Sequence, residues 1–110
     1  MKEIKAVIQP SKLPKLRSAF RHLKDFPGMT ITKVEGCSRD APQGRKSIRE
    51  ELTEFSPKVR IEILAPDDLV EAILQILVEV SATGQRGDGI VWVTDAERMI
   101  RLADGTSVAK

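Results

Sequence analysis

The chain opens on an alternation. Ile4, Ala6 and Ile8 fall on one side of the first segment, and Lys5, Val7 and Gln9 on the other. A period of two with β-branched residues predicts a strand, which Pro10 ends. The period then lengthens. Leu13, Leu16, Ala19, Phe20 and Leu23 recur at spacings of three and four, with Lys15, Arg17, Arg21 and Lys24 between them. That is the apolar stripe of an amphipathic helix. Pro14 fits only in its first turn, where a missing N–H leaves no bond unmade. Pro27 and Gly28 break the chain, and Ile31 and Val34 among threonines predict a second strand over 29–36.

The second half repeats this order. Over 58–64, Val59, Ile61 and Ile63 face one way and Lys58, Arg60 and Glu62 the other, a third strand closed by Pro66. Asp68 with Glu71 has the form of a capping box. A helix should follow through Leu69, Val70, Ile73, Leu74, Ile76, Leu77 and Val80, with Gly84 as its stop. Residues 90–93 are continuously apolar, which predicts a fourth strand that is central or covered on both faces. The order β-α-β, a long connection, then β-α-β predicts an α+β fold. It matches the ferredoxin-like βαββαβ pattern: a four-stranded antiparallel sheet with two helices on one face. Two helices cannot cover both faces, so the pattern also predicts association of copies.

Length and charge narrow the function. A chain of 110 residues fits a single domain, 1–110. Eighteen Lys and Arg against sixteen Asp and Glu leave a net charge of +2, which argues against a polybasic nucleic-acid clamp. The aromatics are Phe20, Phe26, Phe55 and Trp92, too few for a base-stacking platform. Cys37 has no second cysteine to pair with. The longest apolar segment, 69–80, is interrupted by Glu71, Gln75 and Glu79 and is too short to span a bilayer. Cytoplasmic residence, no membrane insertion and no nucleic-acid partner are the expectations.

Two connections stand out. Residues 37–56 separate the second and third strands by a length that is uncommon unless functional or mobile. Asp40, Pro42 and Gly44 favour irregular backbone, whereas Ser47, Ile48, Glu50, Leu52 and Phe55 have the spacing of a short amphipathic helix. This segment either folds back on its own sheet or docks a partner. The other connection, 83–89, places Gly84, Gly87 and Gly89 where backbone N–H groups can converge on an anion such as phosphate. It follows a helix C-terminus, whose dipole repels anions, so cations must help. Arg39, Lys58, Arg86, Arg98 and Arg101 are the candidates. No Ser/His/Asp or Cys/His set is present, and the turn after the first strand, with Gln9 and Lys12, lacks the arginine of an acylphosphatase loop. His22 reads as a solvated helix residue. A non-enzyme without a metal site is the expectation.

The stretches MKEIKAVIQPSKLPKLRSAF, PGMTITKVEG, FSPKVRIEI and TGQRGDG, with Arg101 in MIRL ahead of Asp104 and Gly105, resemble the PII signal-transduction family along nearly the whole chain. The resemblance implies a homotrimer with nucleotide clefts between subunits, and ATP, ADP or AMP as effector. It implies a phosphate-binding loop at 83–89 with Gly87, Asp88 and Gly89. Arg101, in a C-terminal segment at 97–110, would reach the phosphates from the neighbouring subunit. Thr30, Glu62 and Leu64 match positions around the adenine, and Ser38 and Arg39 the base of the long loop. Lys58 matches an effector-facing lysine that meets 2-oxoglutarate. Residues 37–56 match the T-loop, the arm that touches the regulated protein, with Arg45, Ile48, Arg49 and Leu52 as its contact residues. A membrane transporter is the implied target.

The departures qualify that picture. Ile90 and Ala103 stand where the family usually has phosphate-binding cations, Asp40 where it has a glutamine that helps hold magnesium and 2-oxoglutarate. The chain has no tyrosine, so uridylylation of a T-loop tyrosine is excluded. Each lost contact to a charged group is worth roughly 1.5–3 kcal/mol. Two losses would lower triphosphate affinity by about 10²- to 10⁴-fold. The departures argue for weaker preference for ATP over ADP or AMP and against magnesium-dependent 2-oxoglutarate sensing. They also resemble branches linked to bicarbonate transport or heavy-metal efflux. The alternative reading is a trimeric metal-tolerance protein linked to heavy-metal efflux, without nucleotide sensing. Its weakness is the donor set, with His22 and Cys37 the single members of their types.

Overall fold

Strand pairing sets the architecture. The structure, a computed structural model, describes residues 1–37, 55–85 and 87–108. Strand β1 (Lys2–Ile8) lies between β3 (Ser56–Ala65) and β4 (Gly89–Asp95), and β2 (Thr30–Gly36) lies outside β3. The order is β2-β3-β1-β4 and every neighbour is antiparallel. With helices α1 (Leu13–Arg21) and α2 (Val70–Ser81) in the expected places, this is the ferredoxin-like α+β fold.

The fourth strand corrects the expectation of a central position. It is an edge strand, with Ile90 66% exposed. Its continuous apolar run has a different cause. Val91 packs against the core under α2, whereas Ile90 and Trp92 belong to the opposite face of the sheet. An apolar run reports two apolar faces, and an edge strand has two faces as a central one does.

Helix ends also depart from the sequence reading. A 3₁₀ turn, Pro10–Lys12, leads into α1, and Pro14 does sit in the first helical turn. The helix stops at His22 rather than Leu23, and the chain reverses through Asp25 (φ +62°) and Gly28 (φ +103°). Before α2, Asp67–Leu69 forms another 3₁₀ turn, in which the Leu69 N–H donates to the Pro66 carbonyl. The helix cap falls at Leu69 with no side-chain bond, so the Asp68–Glu71 capping box is not made. The helix ends at Ser81, because Ala82 is already extended, and Gly84 (φ +79°) serves the loop beyond it.

The core lies between the helices and one sheet face. Ile4, Ala6 and Ile8 from β1 and Val59, Ile61, Ile63 and Ala65 from β3 meet Leu16 and Phe20 of α1 and Val70, Ile73 and Leu77 of α2. Phe20 stacks on Phe26 with ring centroids 4.4 Å apart. Among the described residues, no helix lies on the other face. Register places Thr30, Glu62, Lys5 and Trp92 in one row across it, and Thr32, Arg60, Val7 and Ile90 in the next. It mixes charge with exposed apolar surface. Glu3 pairs with Lys5 at 3.7 Å and Arg60 Nε lies 3.5 Å from Glu62 Oε1, while Leu64 and Trp92 are more than a third exposed. Beyond β4, a hairpin of two two-residue strands, β5 (Met99–Ile100) and β6 (Ser107–Val108), closes the described chain. No helix among the described residues is long and apolar enough to cross a membrane.

Candidate functional site

The glycine-rich connection from α2 to β4 is fastened at three points, each by a different part of the fold. Its first half closes on Asp88. That carboxylate accepts hydrogen bonds from the backbone N–H groups of Thr83 (2.7 Å), Gly84 (3.0 Å) and Gln85 (3.3 Å), and from Thr83 Oγ1 (2.5 Å). The Thr83 hydroxyl, then its N–H, hold the Asp88 carboxyl below the ordinary carboxylate range. The converging amides expected from the glycine spacing do exist at 83–85. They enclose the chain's own Asp88 rather than an external anion.

The middle of the loop is held by the ends of two strands. Gln9 Nε2 donates to the Gly87 carbonyl at 2.6 Å, and Lys58 Nζ donates to the same oxygen at 2.9 Å. Register explains the convergence. Ile8 pairs with Val59 on one side and with Gly89 on the other. Gln9, one residue on, therefore stands between Lys58 and the loop. The third point is Gly89, where the chain joins β4 at φ +114°. A Cβ there would lie 1.9 Å from the Val7 carbonyl oxygen, so no other residue fits.

Lys58 has its own accommodation. A Cβ on Gly36 would lie 3.0 Å from Lys58 Cγ, so the bare Gly36 backbone lets the lysine stem pass toward Gly87. Lys58 and Glu62 are four residues apart on one face of β3, about 13 Å along the strand. Thr30 is the register partner of Glu62, and Leu64 follows on the same face. The fold thus gathers the expected residues into two groups on one side of the sheet. Gly87, Asp88, Gly89 and Lys58 lie at one end, and Thr30, Glu62 and Leu64 further along.

Arg101 is not joined to either group within one chain. It starts an exposed turn in which its N–H donates to the Thr106 carbonyl and its carbonyl accepts from the Gly105 N–H. Asp104 fixes that turn by accepting from the Thr106 hydroxyl (2.7 Å) and N–H (2.9 Å), which lowers its own carboxyl pKa. Ser38, Arg39, Arg45, Ile48, Arg49 and Leu52 lie outside the described residues, as does Arg86. Cys37 is exposed, and among the described residues no group of three His, Cys, Asp or Glu could hold a metal. His22 is exposed at the end of α1, its Nδ1 2.9 Å from the Ser18 carbonyl.

Sequence reasoning passed over Gln9 and Gly36. Neither has a signature of its own, because each matters through a neighbour set by register. The one available signal for Gln9 was a polar residue at the very end of a core strand, immediately before Pro10.

Comparison with known proteins bears on the whole arrangement. The family model described as Nitrogen regulatory protein P-II matches residues 1–106. Nitrogen regulatory protein P-II 1 of Escherichia coli (strain K12) is 38% identical over 108 residues, 96% of this chain and 94% of that protein. Nitrogen regulatory protein P-II of Haemophilus influenzae and that of Klebsiella oxytoca are each 37% identical over 108 residues, with the same coverage.

Proposed function

The chain belongs to the nitrogen regulatory protein P-II family, and on that premise we propose that it is a homotrimeric, non-enzymatic sensor of adenine nucleotides. The nucleotide lies in a cleft between subunits. Backbone N–H groups of Gly87, Asp88 and Gly89 meet its phosphates, Arg101 of the next subunit adds a cation, and Ser38 and Arg39 contribute from the base of the long loop. Thr30, Glu62 and Leu64 surround the base. ATP, ADP and AMP are the ligands, and Lys58 faces a second, anionic effector.

The observation that carries the reading is the loop itself, fastened at Asp88, at the Gly87 carbonyl and at Gly89. A backbone site for phosphate works only if its N–H groups are already fixed, because ordering them on binding would cost affinity. The spacing of about 13 Å from Lys58 to Glu62 suits a nucleotide lying along the strand. The sheet face that no described helix covers supports a trimer, since Trp92, Ile90 and Leu64 on it are exposed among the described residues and another copy can cover them.

The output is regulation of a partner protein in the cytoplasm. Residues 37–56, through Arg45, Ile48, Arg49 and Leu52, touch a membrane transporter, and the occupancy of the cleft decides whether they do. Magnesium and 2-oxoglutarate are not part of this proposal, given Asp40 in the position that would support them.

Calorimetry with ATP, ADP and AMP, with and without magnesium and 2-oxoglutarate, tests the ligand. Binding of at least one nucleotide is expected. No binding at millimolar concentration overturns the reading. Arg101→Ala should weaken binding by about 10- to 100-fold while the trimer persists in sedimentation. Unchanged affinity would remove Arg101 from the site.

A further inference from the structure

We infer that Gln9 is a positioning residue for the phosphate loop, one that aims the Asp88 N–H at the ligand by holding the Gly87 carbonyl. The ligand in this inference is the adenine nucleotide of the preceding section.

Peptide geometry sets the direction of that N–H. A trans peptide is planar, and its C=O and the following N–H point in opposite directions. The Gly87 carbonyl and the Asp88 N–H share one peptide. Gln9 draws that carbonyl toward the strand ends at 2.6 Å, so the Asp88 N–H must point away from them. The rotation is open to Gly87 because it adopts φ +91°, a conformation that side chains resist.

Two donors meet the one oxygen, which fills both of its lone pairs. They are not equivalent. Lys58 carries a cation on a flexible four-carbon stem, and a nearby anion competes for it. Gln9 is neutral and stands at the end of β1, one residue beyond the pairing of Ile8 with Gly89. When an anion draws Lys58 away, Gln9 still holds the peptide. A neutral amide also does this without placing a charge beside Asp88.

Three variants separate positioning from bulk effects. Gln9→Leu keeps the size and removes the donor. Gln9→Glu replaces the donor with a carboxylate that repels the Gly87 carbonyl and attracts Lys58. Gln9→Lys restores a donor. ADP affinity by calorimetry should fall about 3- to 10-fold in Q9L and Q9E. In Q9K it should stay within about twofold of the wild type or tighten, since the donor returns with an added cation. The amide resonances of Gly87, Asp88 and Gly89 in the ligand-free protein, read by NMR, should shift or broaden in Q9L while those of Ile4 and Ile61 stay in place.

Wild-type ADP affinity in Q9L overturns the inference, as does Q9K as weak as Q9L. Weak binding in Q9L with unchanged amide resonances at residues 87–89 overturns it too, because Gln9 would then act by touching the nucleotide. If the wild type binds no adenine nucleotide, the functional reading fails by itself. The amide resonances of residues 87–89 then decide whether Gln9 holds the loop.

Discussion

The Val7 carbonyl oxygen stands 1.9 Å from where a Cβ on Gly89 would be. The first residue of β4 is thus pressed against the backbone of β1 at the point where the loop ends. The contact fixes where the loop meets the sheet, and it makes Gly89 a structural requirement before it is a functional one.

Gly89→Ala should accordingly be among the most damaging small substitutions in the chain. It combines a left-handed φ with a clash against backbone that cannot rotate away. We expect a loss of about 2–4 kcal/mol. For a domain of this size that lowers Tm by ~10–25 °C. Gly28→Ala is the control. Its φ is also positive, yet nothing lies within 4 Å of the added Cβ. A loss of only ~1 kcal/mol is expected there. Equal losses at both sites, read by thermal unfolding, would mean that the Val7 contact is unimportant.

Gly36→Ala should separate binding from stability. Its φ is unremarkable and the clash is with Lys58 Cγ, a side chain that can shift by a few tenths of an ångström. Stability should change by less than about 1 kcal/mol. Lys58 should lose its bond to the Gly87 carbonyl, and binding of an anionic effector should weaken several-fold. A large drop in Tm with normal binding would contradict this.

Asp88 should make the loop sensitive to acid. Hydrogen bonds from Thr83 lower its carboxyl below the ordinary 3.8 in the folded chain. A carboxylate lowered on folding contributes above its unfolded value, and that contribution is lost as pH falls through the folded value. The amide resonances of Thr83, Gly84 and Gln85 should therefore stay fixed from pH 7 down to about 4 and then move together, with a midpoint below 3.8. In Asp88→Asn that common transition should vanish. A transition that persists in D88N belongs to another group.

Phe20→Ala tests the core beneath the sheet. Phe20 is 2% exposed and stacked on Phe26, so truncation leaves a cavity lined by Leu16 and the helix-facing strand residues. A cost of about 3–5 kcal/mol is expected in denaturant unfolding. Phe26 is only half-buried, and its truncation should cost clearly less.

Much of the fold was legible because one-dimensional periods have direct physical causes. Ile4, Ala6 and Ile8 alternate because a strand turns successive side chains to opposite faces. Leu16 and Phe20 recur at four because a helix returns to the same face in that distance. The glycines of 83–89 announced an unusual loop, and Lys58 on the polar side of its strand did reach that loop. The likeness of successive segments to one family was legible too, and the match over residues 1–106 bears it out.

What sequence alone could not decide depends on which strands pair, and in which register. The apolar run at 90–93 looks the same at an edge or in the centre, and among the described residues its pairing with β1 alone puts it at the edge. The Asp68–Glu71 box failed because Asp68 lies inside the 3₁₀ turn Asp67–Leu69, which moves the helix cap on to Leu69. Asp88 turned inward onto 83–85, and Gln9 and Lys58 met on one carbonyl, through contacts spanning up to 78 residues of chain. Local sequence determined the elements and the chemistry available at each position. Tertiary pairing decided which of those groups share a few ångströms, because hydrogen bonds act at distances that no local pattern records.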